Sequence, residues 1–349
     1  MVKPTKDDYL EFYGGLTQYA CYLKEAFKEE QSLGIGLGIG PSLELLENLV
    51  LIEKQLKLLD SDKSEKLNAA TYKALLDAKE ANYLLKEYFP FSTFSPYVEI
   101  FLKVTGGMQK SGLLEVLKAL QLAIGQEENK KNMVRSRKND REKQEQLSRY
   151  IKSLFIASPS LLVIDLDVSY ADEWDYNQPL KMLPESTDQK VQTEESVRRG
   201  RIEKVQRERN ELITQLKKKY KRDLVGYIWK LDYSIEKNFH YNMIYFLDGE
   251  KYQNDIEIAD SIGKLWTSVT EAKGIYFSKN LHKYNGVGLI KHDEIEKRKS
   301  LESNVLYLVK TEYFVKMKLK SESGQKLHTF DRGQIPKRGQ SKRSQVYTI

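Results

Sequence analysis

The sequence predicts an α+β protein: a central antiparallel sheet flanked by helices, preceded by a mainly helical N-terminal region. Three observations carry this expectation. Residues 227–233 and 239–247 are two runs rich in aromatic and β-branched residues, split by a short polar break, which is the pattern of a β-hairpin. Residues 161–168 read Leu-Leu-Val-Ile-Asp-Leu-Asp-Val, and the continuous apolar start suits a central strand buried on both faces. Residues 1–125 are dominated by helix-favouring residues.

In chain order, Leu43, Leu45, Leu46, Leu49, Val50 and Ile52 begin an amphipathic run. Residues 66–88 favour helix, ended by Pro90 and Pro96. Residues 113–124 form a short apolar helix. Two glycine-rich stretches, 34–40 and 106–112, lack the spacing of a nucleotide-binding loop, and the first is read as a flexible or tightly turned loop. Residues 126–150 are a charge run, expected as a solvated helix or linker and as the boundary before an α+β domain over 151–320. An irregular stretch after Tyr170 leads into a basic helix over 188–222. Beyond the hairpin come a helix over 254–266, short strands near 274–277 and 285–291, and a helix over 300–316. The Gly, Ser, Gln, Lys and Arg content of residues 321–349 predicts a basic disordered tail.

The chain has 349 residues, a formal net charge of +7 and one cysteine, Cys21. A single cysteine excludes an intrachain disulfide and a multi-cysteine zinc site. No apolar run approaches the roughly 20 residues that span a bilayer, and the opening Met-Val-Lys-Pro-Thr-Lys-Asp-Asp lacks the apolar core of a signal peptide. A cytoplasmic location is therefore expected. The positive charge is concentrated. Residues 197–222 carry eleven Lys/Arg against three Glu, and residues 316–349 carry nine against Glu322 and Asp331. Such clustering is how a polyanion is met. Lys217, Lys218, Lys219, Lys221 and Arg222, with Lys337, Arg338, Lys342 and Arg343, are the candidate phosphate contacts.

On the second hairpin strand, His240, Asn242, Ile244 and Phe246 share one face. Asp232 ends the first strand and can lie across from His240. One imidazole, one amide oxygen and one carboxylate on a rigid sheet are candidate ligands for a divalent cation, Mg or Mn. Asp165 and Asp167, on one face of their strand, compete for the acidic position.

Tyr-Ile-Trp-Lys-Leu-Asp at 227–232, Phe-His-Tyr-Asn-Met-Ile-Tyr-Phe-Leu-Asp-Gly at 239–249, the helix around 262–266, Tyr307-Leu-Val-Lys310 and Gly-Gln-Ile-Pro-Lys-Arg-Gly at 333–339 follow one another in an order that resembles the inovirus-type replication proteins, the YagK/YfjJ-like prophage family. The resemblance covers residues 161–339. That family in turn resembles the HUH endonucleases that initiate rolling-circle replication, and implies an HUH/Rep-like fold. It also implies nicking and joining of single-stranded or origin DNA through a 5′-phosphotyrosine, with host replication proteins as possible partners. Tyr307 then matches the nucleophile, Lys310 three residues on shares its helix face, and Tyr313 is a second candidate. His240, Asp232 and Asn242 match the metal motif. Asn242 stands where the signature has a second histidine, and Asp232 where a glutamate is expected. That departure supports an alternative, a DNA-binding protein on the same fold that does not cut.

Overall fold

The computed structural model describes residues 91–107, 113–171, 188–234, 238–282, 286–320 and 325–336, with Phe89 and five positions of an earlier helix, Ile52, Glu53, Leu56, Lys57 and Leu59. The elements run β1 (Ser92–Phe94), α1 (Pro96–Gly107), α2 (Leu113–Gly125), α3 (Glu127–Ala157), β2 (Ser160–Tyr170), α4 (Asp188–Tyr220), β3 (Leu224–Ser234), β4 (Asn238–Asp248), α5 (Asp255–Val269), β5 (Gly274–Ser278), β6 (Gly288–Lys291), α6 (Ile295–Phe314), β7 (Val315–Met317), β8 (Leu319–Lys320), β9 (Lys326–Leu327) and β10 (Phe330–Arg332). This is the expected α+β architecture, with helices before a central antiparallel sheet. None of the described helices is long and apolar enough to cross a membrane.

The central sheet has the order β10-β3-β4-β2-β5, and β6 also pairs with β2. Every described pair in it is antiparallel. The β3–β4 hairpin is in the register that sets Asp232 opposite His240 and Lys230 opposite Asn242. On its other side β4 pairs with β2, with Asn242 opposite Asp167. The continuous apolar run of β2 thus becomes an interior strand, as its composition requires.

Strand alternation divides the core in two. One face carries Leu162, Ile164, Leu166, Trp229, Leu231, Tyr241, Met243 and Tyr245 under α4 and α5. The other carries Leu161, Val163, Ile228, Ile244 and Phe246 under Tyr150, Ile151 and Leu154 of α3 and Leu301, Val305 and Leu308 of α6. Gly226 lets α3 come close: a Cβ there would stand 2.5 Å from the Tyr150 hydroxyl. That hydroxyl accepts from Tyr227 N–H at 3.2 Å, beside the bulge between Leu224 and Gly226.

Residues 126–150, expected as a solvated helix or a linker, are helix: they form most of the 31-residue α3, whose Met133 packs with the N-terminal helices while Leu147, Tyr150, Ile151, Leu154 and Phe155 sit under the sheet. Charge runs mask a burying stripe when that stripe is confined to one end of a helix. Two other expectations need correction. Pro96 opens α1, where its missing N–H and fixed φ are no handicap; the helix expected over residues 66–88 lies outside the described residues. The segment after Lys320 is not all tail. β10 pairs with β3, setting Phe330 opposite Lys230, and Arg332 stands 4.7 Å over the Tyr150 ring. The glycine-rich stretch 34–40 and the tail residues Lys337, Arg338, Lys342 and Arg343 lie outside the described residues.

Candidate functional site on the α3–α6 face of the sheet

Three neighbouring strands change character at one level of the same face. Along β2, Leu161 and Val163 give way to Asp165 and Asp167. Along β3, Ile228 gives way to Lys230 and Asp232. Along β4, read backwards, Ile244 gives way to Asn242 and His240. The apolar half is covered by α3 and α6; the polar half holds a row of ionisable groups at the centre of the sheet.

These groups are paired with one another. Lys230, only 5% exposed, lies 2.8 Å from Asp232. The Asn242 amide donates to Asp232 Oδ2 at 3.1 Å. His240 Nδ1 is 2.9 Å from the Asn238 carbonyl. Lys279, just past β5, donates to Asp165 Oδ1 at 3.0 Å and forms an ion pair with Asp167 Oδ1 at 2.8 Å. It also reaches the Asn242 amide oxygen at 3.4 Å. Two carboxylates on alternate residues of one strand, about 7 Å apart, repel by roughly 2 kcal/mol at an effective dielectric of about 20. An ammonium between them turns that repulsion into attraction.

Asn280 explains why Lys279 arrives there. β5 pairs with the second half of β2 and β6 with the first, leaving a break in the ladder around Ile164 and Asp165. The Asn280 side chain fills it: its Oδ1 accepts from Asp165 N–H at 2.9 Å, and its Nδ2 donates to the Val163 carbonyl at 2.9 Å and to Asp255 Oδ2 at 3.0 Å. A side-chain amide here does the work of a peptide group. Asn280 is 1% exposed, so the turn Lys279–His282 is fixed on β2.

The sequence-expected ligands His240, Asp232 and Asn242 are therefore brought together, and Asp165 and Asp167 are beside them. As donors for a divalent metal they do not fit. The Asn242 oxygen accepts from Lys279 at 3.4 Å, and lysines sit against all three carboxylates. Among the described residues no group of three or more His, Cys, Asp and Glu is disposed to hold a metal ion.

Tyr307 lies on α6, on the same side of the sheet as His240, and is half-buried. It is not on the stripe that faces the sheet, which is Leu301, Val305, Leu308, Val309 and Glu312. With 3.6 residues per turn, Tyr307 shares a flank with Asn304. That flank faces the loop at Gly286, where a Cβ would stand 2.6 Å from Asn304 Nδ2. Lys310 and Tyr313 belong to α6, but their side chains lie outside the described residues. The exposed Lys217, Lys218, Lys219, Lys221 and Arg222 end α4 and begin the turn after it, on the opposite face and beside the start of β3. Eight residues of strand, about 26 Å, separate that end from Asp232.

A family model for the YagK/YfjJ C-terminal domain matches residues 124–331. The chain belongs to the YagK/YfjJ C-terminal domain family. The matched segment runs from the start of α3 to within β10, so in this YagK/YfjJ domain the charged helix and the late edge strand belong with the hairpin and the polar row. No curated protein and no solved structure matches the chain.

Sequence reasoning missed Lys230, Lys279 and Asn280. Two aspartates on one buried strand face require counter-charges, so a search for lysines at strand ends would have found Lys279. Nothing local marks Asn280.

Proposed function

We propose that the YagK/YfjJ domain is a DNA-strand-processing module of the replication-initiator type, of phage or prophage origin, acting on single-stranded or origin DNA. The single observation that supports this reading most is the placement of α6. This helix, which carries Tyr307, packs on the same face of the sheet as the central row of Asp165, Asp167, Lys230, Asp232, His240 and Asn242. A strand laid along this half-open face meets ammonium groups held in fixed positions. Tyr307 Oη attacks a phosphorus atom, forming a 5′-phosphotyrosine while the bond to the 3′ oxygen breaks. The phenolic proton ends on the departing 3′-OH. The covalent bond divides one difficult step into two reversible ones, and fixed positive charge offsets what develops on the phosphate oxygens.

A second reading is favoured by one observation. With Asn242 donating to Asp232 and each carboxylate held by a lysine, the row resembles a finished ionic network, as in a protein that binds DNA without cutting it. A supercoiled plasmid bearing the replication origin of the chain's own element separates the two. Conversion to open circles, lost in Tyr307→Phe, supports strand transfer. A gel shift with no nicking leaves the binding protein, and no shift ends both readings.

A further inference from the structure

We propose that the cation of this site is the Lys279 ammonium, a tethered replacement for a divalent metal. The proposal deepens the strand-transfer reading and rests on it for its catalytic part. Its structural part stands on geometry alone. Lys279 Nζ lies among three oxygens from two strands: Asp167 Oδ1 at 2.8 Å, Asp165 Oδ1 at 3.0 Å and Asn242 Oδ1 at 3.4 Å. Two carboxylates and an amide oxygen converging on one point are hard-cation ligands of the kind that hold Mg or Mn. Here an ammonium occupies the point: it donates to Asp165 Oδ1 and Asn242 Oδ1 and stands against Asp167 Oδ1 as an ion pair.

The lysine is positioned rather than merely near. Its neighbour Asn280 is fixed by three hydrogen bonds, two of them to the backbone of the strand that carries both aspartates. The Lys279 side chain is 13% exposed, so the charge sits in a partly desolvated place where its field is strong. The Asn242 contact is the longest of the three, and it is the one that an anionic phosphate oxygen would replace. Asn242 itself then has a reason. An amide offers the ammonium an oxygen while its nitrogen ties down Asp232 at 3.1 Å.

Calorimetric titration of Mn²⁺ into the full chain tests the proposal without any assay of cutting. The wild type is expected to show no saturable uptake. Lys279→Ala and Lys279→Met vacate the point between the three oxygens and are expected to show saturable uptake of one Mn²⁺ per chain, because a positive charge no longer opposes the ion. Two variants are used because methionine keeps the aliphatic stem; circular dichroism confirms that each is folded. One saturable Mn²⁺ in the wild type, with affinity that the Lys279 variants leave unchanged, would overturn the proposal. So would folded variants that take up no ion. In parallel, wild-type nicking should persist in EDTA, while Lys279→Ala should cut only when Mn²⁺ is supplied. Loss of wild-type nicking in EDTA would count against the proposal. If no variant cuts any DNA under any condition, the strand-transfer reading fails, and the Mn²⁺ titration still decides which cation the cage holds.

Discussion

Asn280 shows how much one side chain carries. Replacing it with alanine strands the Asp165 N–H and the Val163 carbonyl inside the sheet, and each unpaired buried group costs about 1–3 kcal/mol. Asn280→Ala should therefore lower stability by roughly 3 kcal/mol in a urea titration. A change below about 0.5 kcal/mol would mean that water or a shifted strand fills the break. The buried tyrosines make a second statement. Burial raises Tyr150, Tyr241 and Tyr245 above the ordinary phenol value. Burial, then the bond to Asp260, pushes Tyr276 up to about 12. Folded values above the unfolded one mean that the native state holds the extra protons, so stability is complete below pH about 10 and falls as pH rises through the folded values. The urea midpoint should decline from about pH 10 upward, with phenolate absorbance from these residues appearing together with unfolding. Their ionisation near pH 10 in a folded chain would contradict the burial described. Among site residues, His240 and Asn242 were legible because strand parity places them on one face, whereas Asp232 joins them only through the hairpin register. Lys230 and Lys279 were not, since a lysine in sequence does not announce which carboxylate it will meet.

At the scale of elements, close approach decides more than propensity. α5 crosses β5 at Gly263, where a Cβ would stand 2.1 Å from Tyr276 Cδ2. The ring has little room to yield, because its hydroxyl donates to Asp260 at 2.7 Å. Alanine gains about 1 kcal/mol of helix propensity over glycine, and overpacking costs about 1–3 kcal/mol. A contact this short puts the cost at the upper end, so Gly263→Ala should destabilise by roughly 2 kcal/mol in thermal or urea unfolding. A stabilised variant would show that α5 can move off the sheet. The same scale shows what sequence patterns convey. β2, β3, β4, α4 and α5 were legible because periodicity over many residues marks the buried face. β1 and β10 were not. Each has three residues, and each becomes a strand through its partner, β7 for one and β3 for the other. α3 was half legible: its charge run was read as a solvated helix or a linker, and the core stripe of Leu147, Tyr150, Ile151 and Leu154 was not seen.

At the scale of the molecule, charge and site are separated. The basic end of α4 and the polar row lie on opposite faces and at opposite ends of β3. DNA that touches both must wrap an edge of the sheet, or the basic cluster serves a different stretch of DNA. Phosphate contacts there set affinity and salt dependence without choosing sequence. Replacing Lys217, Lys218 and Lys219 together with alanine should weaken single-stranded DNA binding and flatten the slope of log affinity against log salt by about 2. The position of any cut should not change. An unaltered slope, measured by fluorescence anisotropy across salt concentrations, would remove this cluster from the DNA path.

The central claim is that Tyr307, on the helix α6 that packs on the same face of the sheet as the row, is the nucleophile. Its most direct test is a mass-spectrometric map of the covalent product formed when the full chain meets a random-sequence library of single-stranded DNA. The account predicts one nucleotide-bearing peptide, modified at Tyr307 and absent in Tyr307→Phe. An adduct on another tyrosine, or DNA that binds and is never captured, would contradict it.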